Sequence, residues 1–306
     1  MKLGIAVVYL VPEGNEPLLD LHLDRVVRHT GVPFTIYGAV NRPTAWLARK
    51  LSLPFARICE VEPTDRRGPA EHAYYLDRLL LEAVRDGATH LSTLHVDSFP
   101  VRDGWAEALA GQLAPTTPFA AAVRNETVDF KPFTAAILAR ADFLESYRPT
   151  LLLAPEEAAT RAYRRYRRTF PHHPDSGVGW GFTAWREGLG WLPLTRSNRG
   201  QDHAHFGTIH GDIFFHLGAA SWTRKDFPGS VAPTAVLRWR ARLAPALRRL
   251  LPAWAKEGLK DGISRRLPLL DNERTYRANE EEFLSVKARL LADPEGYLRF
   301  LRSGSA

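Results

Sequence analysis

The sequence predicts an α/β protein with a mostly parallel, doubly wound sheet, and three observations carry that prediction. Over roughly the first hundred residues, short apolar runs alternate with segments of helical period, the pattern of repeated β-α-β units. Breaker residues stand at the junctions: Thr30-Gly31, Gly68-Pro69 and Asp86-Gly87. The composition, 45% hydrophobic and 25% charged, is that of a soluble globular chain and argues against disorder or a fibre.

Residues 4–11 read as a first buried strand. Residues 17–29 carry apolar positions at helical spacing, and 34–40 form a second strand, completing a right-handed parallel unit. A helix follows at 43–51, a third strand at 56–61, a helix at 70–86 and a fourth strand at 91–96. Beyond Asp103-Gly104-Trp105 come a helix to about 113, a strand at 119–123, an apolar segment at 132–139 and a basic helix at 156–168. Pro171 and Pro174 break the chain before a helix at 177–187, a strand at 190–195, a polar loop at 196–211 and a strand at 212–216. Further on, Leu, Trp and Arg recur with a helical period over 235–267, and a second helical stretch covers 278–302. The chain of 306 residues is therefore expected to divide into a catalytic domain over 1–233 and a basic α-helical C-terminal extension over 234–306.

Cys59 is the single cysteine, so an intrachain disulfide framework and a cysteine-based zinc cluster are excluded, and a reducing, cytoplasmic compartment is expected. The apolar opening is short and runs directly into Pro12-Glu13-Gly14, which reads as a strand and not as a signal peptide. No window approaches the 18 or so apolar residues of a membrane helix. A net charge of +7 calls for an acidic partner. Nucleic acid, phosphorylated molecules and anionic membrane all satisfy it.

Residues 89–105 carry the functional signal. A half-apolar run leads into His95-Val96-Asp97, then Pro100 and Gly104-Trp105. On a strand over 91–96, the period of two puts His95 and Asp97 on one side at the strand's end, where ligands gather in open α/β sheets. The plain alternative is a strand-end histidine and a turn-capping aspartate. Neither a Gly-x-Gly-x-x-Gly turn after the first strand nor a Gly-x-x-x-x-Gly-Lys-Ser/Thr loop is present.

The order of motifs resembles the GT-A glycosyltransferases, in particular the family 2-type nucleotide-diphospho-sugar transferases, whose hallmark is an Asp-x-Asp closing the fourth strand. Here it stands as a His-x-Asp variant, Leu94-His95-Val96-Asp97-Ser98-Phe99-Pro100, followed by Gly104-Trp105. The resemblance extends upstream through Gly68-Pro69-Ala70-Glu71-His72-Ala73 and downstream through Asp175-Ser176-Gly177 and residues 211–218, covering roughly 3–222. It implies the GT-A fold and transfer of a sugar from a UDP-, GDP- or dTDP-type donor to a hydroxyl acceptor, phosphorylated or lipid-linked, with metal dependence and inversion. Asp97, His95 and His216 are the implied ligands of a divalent cation, with His210 the rival of His216. Because the first carboxylate of the pair is replaced by an imidazole, the mixed nitrogen and oxygen shell favours Mn2+ over Mg2+. Val8, Tyr9, Asn41, His72, His95 and Asp97 are the implied donor contacts. Asp175 is the implied general base, weighed against a plain helix cap, with Asp202 and Asp212 as alternatives and Asp212 expected to be the more buried. Arg124 is a candidate for the acceptor or phosphates.

Tyr163 to Arg168 interleaves aromatics with arginine, a pattern compatible with nucleic acid but read here as favouring a phosphorylated acceptor. Nucleic acid is not an expected partner. Residues 235–267 have the mix of an interfacial helix, so peripheral contact with the inner membrane face is a further expectation, set against a solvated basic face. The rival readings are a non-catalytic nucleic-acid-binding or membrane-surface protein on a nucleotide-binding fold, and a nucleotidyltransferase. The latter normally carries a glycine- and lysine-rich triphosphate loop that this sequence lacks.

Overall fold

The computed structural model describes residues 1–40, 44–126, 129–198, 206–218 and 268–303. Its main sheet has seven strands in the order β3-β2-β1-β4-β7-β6-β8. These are β1 (Leu3–Tyr9), β2 (Phe34–Val40), β3 (Ala56–Ile58), β4 (His90–Leu94), β6 (Phe119–Asn125), β7 (Asp129–Arg140) and β8 (Leu192–Leu194). The pairs β1–β2, β2–β3, β1–β4 and β6–β8 are parallel; β7 alone runs against its neighbours β4 and β6. The sheet is thus mostly parallel, as the alternation of strands and helices predicts, and the chain reverses its winding direction between β1 and β4. That switch point is where open α/β sheets leave a crevice.

Helices cover both faces because the buried central strands are apolar on both. On one side α1 (Glu16–His29), α2 (Ala45–Lys50) and α4 (Trp105–Ala110) pack over Leu3, Ile5, Val7 and Tyr9. On the other, α3 (Pro69–Arg85), α5 (Ala141–Tyr147) and α8 (Val178–Arg186) enclose Ala6, Leu91, Phe119 and Ile137. The basic segment expected as one helix is two, α6 (Pro155–Ala158) and α7 (Arg161–Thr169), because the Thr160 side chain accepts from the Tyr163 amide and starts α7 afresh.

A second, three-stranded antiparallel sheet, β5 (Ser98–Pro100), β10 (Phe214–His216) and β9 (Thr208–His210), is absent from the sequence-based expectation. β9 falls within what reads as a polar loop. It is joined to β10 by a turn in which Gly211 and Asp212 both have positive φ, +59° and +57°, the signature of a tight hairpin turn that matches strand twist. Asp212 therefore sits exposed at the hairpin tip, contrary to the expectation that it would be the more buried candidate.

Two C-terminal helices, α9 (Pro268–Ala292) and α10 (Pro294–Ser303), cover this small sheet. Phe283, Val286, Leu290, Tyr297, Leu298 and Leu301 form one apolar cluster with Phe99, Phe215 and Leu217. Glu295 ties the same helix to α1 by accepting from Arg25 at 2.7 Å and Arg28 at 2.9 Å. The basic stretch 235–267, on which the membrane expectation rests, lies outside the described residues. No helix among them is long and apolar enough to cross a membrane.

Candidate metal centre and its surroundings

β4 ends at Leu94, earlier than the alternation suggested, and His95 to Asp97 form a turn. Strand period is therefore not what brings His95 and Asp97 together. Ser98 does it: its amide donates to the His95 carbonyl at 3.0 Å, and its hydroxyl accepts from the His95 amide at 2.8 Å while donating to the Ala135 carbonyl at 2.5 Å. The turn is thereby clamped to β7. Ser98 then opens β5, and β10 pairs on it with Ser98 opposite His216. The Leu217 amide donates to the Asp97 carbonyl at 2.9 Å, fixing the register beside the turn.

The result is one compact group. Ligand-capable atoms of His95, Asp97 and His216 all lie within 4.8 Å of one another, with His216 Nε2 3.7 Å from Asp97 Oδ1. Asp97 is 5% exposed and His216 8%, while His95 is half-buried, so the group is largely withdrawn from solvent. His95 Nε2 is 3.1 Å from the Thr134 hydroxyl, a contact that fixes the orientation of the ring. Burial, reinforced by His72, His216 and Lys131, drives the His95 pKa well below its usual value, so the ring is neutral as a metal ligand must be. Two imidazoles and a carboxylate within this span suit a mixed-donor divalent cation, and the residues present fit one.

His210, the rival of His216, is buried in β9 with its Nε2 3.0 Å from the Thr208 hydroxyl. Burial lowers its pKa to about 3. It stands outside the trio. His72, near the start of α3, packs edge-on to His95 with ring centroids 4.8 Å apart, and burial brings its pKa to about 4 against the charges of Asp175 and Asp97.

Asp175, partly exposed, stands near enough to His72 for its charge to act on that ring. It is not the cap of α8, which is Gly177; instead its Oδ1 accepts from the Ser176 amide at 2.7 Å, and its Oδ2 faces Lys131 Nζ at 3.6 Å. Gly177 is required where it stands: with φ at +95°, a Cβ would fall 2.0 Å from the Pro132 carbonyl oxygen. The backbone of α8 therefore presses against β7. Ser176 completes a hydroxyl relay, 3.2 Å from Thr134 Oγ1.

Of the donor contacts expected at the strand ends, Val8 is half-buried at the end of β1. Tyr9 is fully buried, packed edge-on to His22 at 6.2 Å, and belongs to the core; it offers no open face to a base. Burial alone raises its pKa. Asn41 and Asp202 lie outside the described residues, as does the side chain of Arg124. Tyr163 and Tyr166 turn inward against Phe182 and His172, which corrects the picture of aromatics interleaved with arginine on one surface. α7 instead shows solvent a face of arginines.

Lys131, Thr134 and Ser176 are site residues that sequence reasoning missed. Thr134 sits in an irregular stretch of β7, where the pairing with β6 shifts between Ala122↔Phe133 and Ala121↔Ile137. No sequence signal marks such a bulge.

No protein-family model and no curated protein matches this sequence. Among solved structures, mouse xyloside xylosyltransferase 1 in its apo form is 9% identical, with a TM-score of 0.39 over 63% of this chain and 85% of that one. The mannosyltransferase PcManGT from Pyrobaculum calidifontis, solved with GDP-Man and Mn2+, is 14% identical, with a TM-score of 0.41 over 94% of this chain and 86% of that one.

Proposed function

We propose that this chain is a GT-A-type glycosyltransferase that moves a sugar from a nucleotide-diphosphate donor to a hydroxyl acceptor, with inversion and with a divalent cation. The observation that carries the reading is the gathering of His95, Asp97 and His216 at the switch point of the sheet, with a partly exposed carboxylate, Asp175, nearby. His95, Asp97 and His216 would hold the cation, Mn2+ in preference to Mg2+. When bound it supplies Lewis acidity that offsets the charge developing on the departing diphosphate. His72 and Val8 flank the donor on the side of α3 and β1. Asp175 accepts the proton of the acceptor hydroxyl as that oxygen bonds to the anomeric carbon and the bond from that carbon to the nucleoside diphosphate breaks.

The buried tyrosines of α7 remove the stacking platform on which a nucleic-acid reading depends. The exposed arginines of α7 suit an acceptor that carries phosphate, and a cytoplasmic enzyme working at the inner membrane face accommodates a lipid-linked one. Thermal melting of the full chain with UDP-, GDP- and dTDP-sugars, each with and without Mn2+, tests the proposal. At least one donor should raise the melting temperature only when Mn2+ is present. No shift with any pair contradicts the reading and favours a non-catalytic protein.

A further inference from the structure

β7 carries Asp129, Lys131 and Phe133 at alternate positions, hence on one face. The Lys131 side chain is fully buried, and its ammonium has no hydrogen-bond partner. Around it stand Asp175 Oδ2 at 3.6 Å, Asp129 Oδ2 at 3.9 Å and the Phe133 ring at 5.5 Å. A charged amine is costly to bury unless oppositely charged groups face it, and packing alone would be better served by an apolar residue of this size. The two carboxylates are not equivalent. Asp129 is buried and its Oδ1 accepts from the His173 amide at 2.9 Å, which straps the segment leading to Asp175 onto β7, as does the Phe130 amide donating to the Pro171 carbonyl at 2.8 Å. Asp175 is the partly exposed one, with one oxygen held by the Ser176 amide and the other turned to the ammonium.

We propose that Lys131 is a positioning residue for Asp175. Together with the Ser176 amide it holds that carboxylate in one orientation, facing the side from which the acceptor arrives, while Asp129 anchors the lysine through its second ion pair. The inference rests on the glycosyltransferase reading and adds to it a residue that touches neither donor nor cation. It follows that removing Lys131 acts only through Asp175.

A double-mutant cycle in the full chain tests this, with Mn2+ and the sugar nucleotide that stabilises the unaltered protein, following release of nucleoside diphosphate. Lys131→Met should lower kcat about 10- to 100-fold with the donor KM and the Mn2+-dependent melting shift unchanged, and Lys131→Arg should restore part of the loss. Asp175→Asn should cost about 100-fold or more, and the double variant should be no slower than Asp175→Asn alone. Lys131→Gln, which keeps a polar donor, serves the same cycle if Lys131→Met does not fold. Additive losses, or a donor KM that rises as kcat falls, overturn the inference in an active enzyme. Absence of any donor-dependent shift in the unaltered protein instead contradicts the transferase reading itself.

Discussion

His216 Nε2 lies 3.7 Å from Asp97 Oδ1, a contact made by a three-residue strand laid against another: Ser98 faces His216 across β5 and β10, and Leu217 donates to the Asp97 carbonyl. The candidate cation site is therefore a property of the small sheet as much as of the large one. Its two histidines play different parts. His95 comes from the end of β4, whereas His216 depends on the β9–β10 hairpin and the C-terminal helices packed over it.

The first prediction separates His216 from His210, which share that hairpin. His216→Ala should weaken Mn2+ binding by more than about 100-fold, because a ligand is lost, while His210→Ala should leave it within a few-fold and lower the melting temperature instead. Calorimetric titration of both variants with Mn2+ measures this. Equal effects on metal affinity would contradict the assignment of His216 as the ligand.

Thr134→Val tests the hydroxyl that holds His95. Its Oγ1 is 3.1 Å from His95 Nε2 and 3.2 Å from Ser176 Oγ, so the valine frees the imidazole to turn. Mn2+ affinity should fall about 10-fold, the lower end of the range for losing an outer-shell partner. An unchanged affinity would show that Thr134 does not orient the ring.

Gly177→Ala is expected to cost about 3 kcal/mol or more, since it combines a left-handed backbone with a Cβ set 2.0 Å from the Pro132 carbonyl oxygen. Chemical denaturation gives the number. A cost below about 1 kcal/mol would mean that β7 and α8 can separate, and with them Lys131 and Asp175.

The pH dependence of stability should carry the mark of Asp77. This half-buried carboxyl on α3 accepts from the Leu151 amide at 3.0 Å, and the Leu151 carbonyl in turn accepts from the Gly177 amide at 2.7 Å. Burial, opposed by that amide hydrogen bond, raises its pKa from 3.8 to about 7. Between those values the folded protein keeps a proton that the unfolded chain has released, so this group's contribution is full below about pH 4 and is lost as pH rises through about 7. Asp77→Asn should flatten that decline and be the more stable protein at pH 8. Parallel stability curves for the two proteins would show that Asp77 does not set the pH dependence.

Much of the framework was legible from local pattern. β1, β2, α1 and α3 fall close to where apolar period and breaker residues put them, and the His-x-Asp step marks two of the three residues that the structure gathers into one group. What escaped has physical causes. β5 and β9 span three residues each, too short for a period of two to register, and they exist only because β10 pairs with both. Lys131 escaped because it stands just before the apolar segment 132–139, where a lysine reads as part of a solvated connection; only tertiary structure shows that it is buried against Asp129 and Asp175. Tyr163 and Tyr166, three residues apart, share one helix face, and that face is the buried one.

His95, Asp97 and His216 together are expected to bind a divalent cation. Electron paramagnetic resonance titration of Mn2+ into the full chain, beside Asp97→Asn, tests it most directly. One Mn2+ per chain should lose its free-ion signal in the unaltered protein, a nucleoside diphosphate should tighten binding, and Asp97→Asn should abolish both effects while remaining folded. Undiminished Mn2+ uptake in Asp97→Asn, or none in the unaltered protein even with nucleotide present, would contradict it.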